Sequence, residues 1–212
     1  MHALAIPLVT KADGTKYGKT EGGAIWISAD LLSPYAFYQF WLNVADAEVP
    51  GLLRVYSFKS RAEIEDLSAQ SVERPAARVG QHALAEELTT LVHGTEECRR
   101  VIAASQALFG RGDLADVDER TLEAAVAEVP SAQIFAAGDL PTVVDLMAET
   151  KITPTKSAAR RAIAGGGAYL NNRKVTAEDA VPGPGDLLHR RFLILRVGKR
   201  NIGAVEVVPV GD

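Results

Sequence analysis

Cysteine and long apolar runs are what this sequence has least of, and no secretory signal is expected at its opening. One cysteine, Cys98, in 212 residues leaves no pair for a disulfide framework and no thiolate set for a zinc ion. No apolar stretch approaches the roughly 20 residues that a membrane-spanning helix needs. The opening MHALAIPLVTKADG has neither a basic leader nor a small-residue cleavage site. Internal repeats and low-complexity tracts are absent too. What is left is an ordinary globular composition, 47% hydrophobic with mean hydropathy near zero, expected in the cytoplasm and without protein-bound metal.

Charge is unevenly spread. The net charge of −4 conceals a middle stretch, residues 61–150, with 17 acids against seven bases. Residues 151–200 reverse the sign, with 11 Lys/Arg against Glu178, Asp179 and Asp186. A basic block of this kind inside an acidic protein is the footprint of a polyanion partner, or else a solvated surface.

Along the chain, HALAIPLV reads as a buried strand that needs a sheet from elsewhere. A Gly- and Lys-rich loop follows, residues 11–23, then a short strand-like stretch, residues 24–27. Ser33-Pro34 marks a helix start, because Ser33 can cap free N–H groups and Pro34 suits the first helical position. The aromatic run YAFYQFWLNVAD then predicts a largely buried helix, with Asn43 and Asp46 capping or tethering it. Ser60 and Glu63 form a capping box. Residues 75–93 are expected as one long helix ended by Gly94, and Thr95 caps the next. Residues 110–138 are acidic and less regular, with one helix expected around 119–128, and read as a connector. Pro141 and Thr153-Pro154 each open a helix. Short strands and turns follow glycines 165–167: AYLNNRKV, PGPGD, LHRRFLILRV and GAVEVV. Two helices followed by a small sheet make a compact module. Cys98 is expected to be an inert core thiol, and His82 and His189 to be surface or structural.

The run Asp13-Gly14-Thr15-Lys16-Tyr17-Gly18-Lys19-Thr20 invites a P-loop reading, which fails. Only three residues separate Gly14 from Gly18, one too few, and a strand-like stretch follows where a phosphate-binding helix should begin. A mobile two-lysine loop, K-x-G-K-T, fits better, since lysine is a compact charge on a flexible stem. Taken alone, however, it reads first as a solvated lysine turn. Its surroundings add to it: KADGTKYGKTEGGAIW followed by SPYAFYQFWLNVAD resembles the KMSKS region of bacterial-type class I tyrosyl-tRNA synthetases. The likeness continues through HALAEELTTLVHG to the end of the chain. The resemblance places Lys16-Tyr17-Gly18-Lys19-Thr20 on the five KMSKS positions, with Tyr, Gly and Thr replacing Met, Ser and Ser. It implies Lys16 and Lys19 as catalytic cations, with Lys16, Gly18, Lys19 and Thr20 at ATP. ATP enters as a substrate, with Mg²⁺ expected alongside it. Nothing here matches the family's HIGH-type motif or its tyrosine pocket, so these residues alone are expected to be inactive, and tyrosine to bind only with an upstream half.

In the basic segment, Lys156, Ser157, Arg160 and Arg161 fall on one arc of a helix at about 100° per residue, with Ala158, Ala159, Ala162 and Ile163 opposite. Asn171-Asn172-Arg173-Lys174 places further donors near that edge. KSAARRAIAGGGAYLNNRKV with PGPGD resembles the alpha-L, ribosomal-protein-type RNA-binding fold, which in this synthetase family sits at the C-terminus and grips tRNA. The expected RNA contacts are therefore Lys156, Ser157, Arg160, Arg161, Arg173 and Lys174, positioning phosphates without reading bases.

The expected fold is mainly α with an α+β C-terminal module. Its parts are the end of a Rossmann-like catalytic domain with the KMSKS loop (1–32), a helical anticodon-binding domain (33–109), an acidic connector (110–138) and the alpha-L domain (139–212). The implied partners are tRNA(Tyr), ATP and, with the upstream half, tyrosine. No membrane is expected. The family is homodimeric through that half, which leaves a monomer open for these residues alone. A non-enzymatic structured-RNA-binding protein derived from a synthetase is the other reading.

Overall fold

The computed structural model describes residues 25–136 and 139–209. The chain divides into two compact units, residues 1–99 and 100–212, with the division falling inside a helix. Mostly helical, it has eight α-helices and one five-stranded sheet among the described residues. No described helix is long and apolar enough to cross a membrane.

In the first unit, α1 (Pro34–Leu42) starts as its sequence dictates: Ser33 Oγ accepts from Ala36 N at 3.1 Å, and Pro34 fills the first position. Tyr35, Phe37, Tyr38 and Trp41 are buried. Phe37 and Trp41 meet edge to face with centroids 6.2 Å apart, and Trp41 meets Tyr56 at 5.3 Å. The aromatic run is thus packing, with α1 lying against α4. Next come α2 (Val49–Tyr56) and α3 (Arg61–Glu73). The Ser60–Glu63 capping box at the start of α3 is complete, with Ser60 N donating to Glu63 Oε2 at 2.8 Å.

The long helix expected over 75–93 is broken. Pro75–Ala77 form a 3-10 turn, Arg78 takes a left-handed conformation (φ 51°), and α4 proper spans Val79–His93. Arg78 has a reason to sit there: its guanidinium donates to the Leu42 carbonyl and to Asn43 Oδ1 at 3.5 Å, tying the kink to the end of α1. Gln81 Nε2 donates to Asp46 Oδ1 at 2.5 Å beside it. Asn43 and Asp46 are therefore the tethers expected of them. Cys98 is buried and donates to the Glu86 carbonyl at 3.5 Å, and desolvation pushes its thiol pKa up, as suits an inert core residue.

Gly80 allows the closest approach in this unit. A Cβ there would lie 2.4 Å from Val49 Cγ1 and 2.6 Å from Ser71 Oγ. Gly→Ala inside a helix ordinarily stabilises by up to about 1 kcal/mol. Here the clash with fully buried Val49 reverses the sign, and Gly80→Ala is expected to cost about 1–3 kcal/mol. Thermal unfolding followed by circular dichroism checks this; an unchanged or higher midpoint would contradict the packing.

Helix α5 (Thr95–Leu108) carries the chain across the division. In the second unit come α6 (Glu119–Ala127), capped by Asp118, and β1 (Ser131–Ala136). Then α7 (Val143–Glu149), α8 (Lys156–Ala164), β2 (Ala168–Leu170), β3 (Arg173–Lys174), β4 (Phe192–Val197) and β5 (Asn201–Pro209) complete the module. Strand order is β1-β5-β4-β2-β3, with β1 parallel to β5 and the other pairs antiparallel. Leu146, Met147, Ala159, Ile163, Leu193, Leu195 and Val205 fill the core between α7, α8 and the sheet.

The acidic stretch 110–138 does more than connect. It supplies α6 and the edge strand β1, whose Ser131 sits opposite Ala204. Arg191 holds it there. Its guanidinium reaches Glu123 Oε1 at 2.9 Å and Glu206 Oε1 at 2.6 Å, with Glu119 at 3.9 Å. Gln133 on β1 donates to Glu206 Oε2 at 2.8 Å, closing the network.

Candidate nucleic-acid interface

The lysine loop, with Lys16, Gly18, Lys19 and Thr20, lies outside the described residues. The site that can be built residue by residue is the exposed face of α8 with the β2–β3 hairpin.

Helix α8 starts two residues later than a cap at Thr153 with Pro154 in first position would place it. Thr155 is the cap, its Oγ1 accepting from Ala158 N at 3.2 Å, whereas Thr153 is buried in the preceding turn. From Lys156 onward the two arcs fall out as the 3.6-residue period requires. Ala159 and Ile163 are buried, Ala158 and Ala162 half-buried, and Lys156, Ser157, Arg160 and Arg161 exposed. The short side chains of the inner arc let the helix lie close to the sheet, which stiffens the cationic face from behind.

The hairpin turns on two residues, Asn171 (φ 46°) and Asn172 (φ 64°), both left-handed, as a type I′ turn demands and asparagine tolerates. Their amides are not spare donors for a ligand, contrary to the sequence reading. Asn171 Oδ1 accepts from Ile194 N at 2.8 Å while its Nδ2 donates to the Asp186 carbonyl at 2.5 Å. Asn172 Nδ2 donates to the Ala107 carbonyl at 2.6 Å. Both asparagines fix the hairpin so that Arg173 and Lys174 stand exposed beyond it. Lys174 folds back over the end of α8: a Cβ on Gly166 (φ 68°) would lie 2.5 Å from Lys174 Nζ. The hairpin cation therefore meets the C-terminal turn that carries Arg161, where the helix dipole favours positive charge.

The cations differ in availability. Lys156 Nζ sits 2.7 Å from Asp145 Oδ1, and Arg160 Nε 3.6 Å from Glu178 Oε2. Among the described residues, no ion pair engages Arg161 or Arg173. Elsewhere in the basic block, Arg191 is consumed by three carboxylates. Arg196 stacks on the Tyr169 ring at 4.1 Å while donating to the Gly198 carbonyl. Both serve the fold. His189 is structural as well, its Nε2 lying 2.7 Å from the Val117 carbonyl.

The Lys156 hydrogen bond, followed by that from Thr142, holds the Asp145 carboxyl below its ordinary value. A depressed carboxylate adds stability that is complete above its ordinary pKa of 3.8 and is lost as the pH falls through the folded value. Thermal midpoints should accordingly drop below about pH 4, and less steeply in Asp145→Asn. Parallel acid profiles for the two proteins would contradict the coupling. No group of metal-ligating side chains occurs among the described residues.

Comparison with known proteins shows the family. The family described as tRNA synthetases class I (W and Y) matches residues 1–110, and the tyrosine–tRNA ligase SYY-like C-terminal domain matches residues 121–205. Tyrosine–tRNA ligase of Streptomyces griseus is 58% identical over 211 residues, 100% of this chain and 49% of that protein. The Thermobifida fusca enzyme is 59% identical over 96% of this chain and 48% of its own length. The C-terminally truncated mitochondrial tyrosyl-tRNA synthetase of Aspergillus nidulans is 35% identical over 41% of this chain and 25% of that structure, at a TM-score of 0.39, a likeness too partial to bear on the fold. The chain spans about half the length of the curated relatives it matches, on their C-terminal side. It belongs to the tyrosine–tRNA ligase family.

Proposed function

We propose that these residues form the C-terminal part of a cytoplasmic tyrosine–tRNA ligase, which attaches tyrosine to tRNA(Tyr) at the expense of ATP. Residues 1–32 supply the KMSKS-type loop, residues 33–109 the helical anticodon-side domain, and residues 139–212 the alpha-L module, whose sheet takes β1 from the 110–138 stretch that leads into it. The observation that carries this reading is the outward face of α8, where Lys156, Ser157, Arg160 and Arg161 stand exposed and Lys174 of the hairpin reaches Gly166 at the end of the helix. Polar and cationic side chains gathered on one helix face suit the spaced phosphates of folded RNA, with Arg173 on the neighbouring strand as a further contact, and contacts of that type set register rather than read sequence.

Lys16 and Lys19 act at the other end of the reaction. When the tyrosine carboxylate attacks the α-phosphate, negative charge builds on the departing pyrophosphate. Two ammonium groups brought in at that moment, with Mg²⁺ accompanying ATP, favour the transition state over the ground state. The tyrosine pocket and the HIGH-type motif belong to the upstream half, through which the enzyme dimerises. A non-enzymatic RNA-binding protein is less well supported, because the family match runs through the lysine loop as well as the RNA module.

A chimera tests this. Joining the chain to the upstream half of the Streptomyces griseus relative should give tyrosine-dependent ATP–pyrophosphate exchange and charging of tRNA(Tyr), while the 212 residues alone give neither. A folded chimera that binds tyrosine and ATP but charges no tRNA would overturn the reading.

A further inference from the structure

A cleft of about 320 Å³ opens beside the hairpin, walled by the 3-10 turn at Leu114–Asp116, the Asn171–Arg173 turn and the 3-10 turn at Pro184–Asp186. Its volume lies at the small end of the roughly 300–1,000 Å³ typical of ligand pockets. Three kinds of surface meet in it. Leu114, Ala115 and Leu188 are apolar, Asp113 and Asp186 bring carboxylates, and Arg173 brings a guanidinium.

The walls are tied down before any ligand arrives. Asn171 bonds both the Asp186 carbonyl and Ile194 N, linking two walls to β4. Asp113 Oδ1 accepts from Ala115 N, and Asp186 Oδ2 accepts from Gly183 N at 2.9 Å. Each carboxylate thereby spends one oxygen on its own turn and keeps one for a ligand. A site held in this way pays little ordering entropy on binding.

The mixture is selective. A free phosphate would meet Arg173 but also two carboxylates. A base-paired stem presents no flat ring to Ala115 and Leu188. An unpaired nucleotide uses all three surfaces: its ring over Ala115 and Leu188, its ring N–H or amino group on a carboxylate, its phosphate at Arg173. RNA-binding proteins generally read sequence from such splayed bases, on their pairing edges. Guanine suits the pair best, with two adjacent N–H donors for the one oxygen that Asp113 and Asp186 each keep, and uracil, richer in carbonyls, suits it least.

We propose that this cleft takes a single unpaired nucleotide of the bound RNA, preferring guanine, and so adds base recognition to an interface otherwise directed at phosphates. The proposal rests on the RNA-binding reading above. The test uses the full chain and three labelled RNA hairpins of equal length: fully paired, with one bulged guanosine, and with one bulged uridine. Fluorescence anisotropy should show the guanosine bulge binding about tenfold more tightly than the paired stem, the order expected of one good bidentate contact. Ala115 is exposed, so Ala115→Trp fills the cleft without touching the core. This variant should abolish the bulge preference and leave the paired hairpin unaffected. Asp113→Asn keeps the oxygen that caps the turn but replaces the free one with a donor, and should narrow the gap between guanosine and uridine. Equal affinity for all three hairpins would overturn the cleft assignment and leave the RNA-binding face standing. No binding to any of them would overturn both.

Discussion

In the complete ligase, Lys19→Ala is expected to slow tyrosyl-adenylate formation by roughly 10²–10³ fold and to leave tyrosine affinity almost unchanged. An ammonium group that acts on departing pyrophosphate stabilises charge present only as the P–O bond breaks. Its removal therefore lowers the rate constant of activation, whereas ground-state binding of tyrosine, several bonds away, is spared. Lys16→Ala should show a smaller loss, shared between activation and transfer to the tRNA end. Rapid-quench measurement of adenylate formation separates the steps. Normal activation by the Lys19 variant would remove this lysine from the ATP site.

Arg160→Ala with Arg161→Ala should weaken RNA binding by a few kcal/mol and flatten the dependence of log K on log salt by up to about two units. Each arginine that neutralises a phosphate releases about one counterion, so the slope counts the phosphate contacts. The two arginines are not equivalent. Arg160 already faces Glu178 at 3.6 Å and must leave that partner, whereas Arg161 has no ion pair among the described residues. Arg161→Ala alone should therefore cost more than Arg160→Ala, and Glu178→Gln should tighten binding slightly. Equal affinity and equal slope in the double variant would take α8 out of the interface.

How much of this was legible beforehand depends on the range of the interactions. Ser33-Pro34, the Ser60–Glu63 box and the two arcs of α8 are written within three or four residues of themselves, and each appears where the sequence placed it. The break at Arg78 was not legible, because a left-handed arginine is held by Leu42 and Asn43, more than thirty residues away. Strand β1 was missed for a similar reason: SAQIFA is a weak strand by itself and becomes one through parallel pairing with β5. Charge counting overstated the RNA surface. Arg191 and Arg196 swell the basic block, yet one is spent on Glu119, Glu123 and Glu206 and the other on Tyr169. Counting also could not see that Asn171 and Asn172 would spend their amides inside the fold. The cleft beside the hairpin is built from three turns far apart in sequence, and no local pattern announces it. The lysine loop was read from resemblance, since K-x-G-K-T by itself is an ordinary turn.

The most direct test of the central claim is a salt titration of tRNA(Tyr) binding to the purified chain, run beside other tRNAs. The account predicts tighter binding of tRNA(Tyr), with an affinity that falls steeply and log-linearly as salt rises, at about 0.7–0.9 units of slope per phosphate contacted. Binding that is absent at low salt, or insensitive to salt and to tRNA identity, would contradict it.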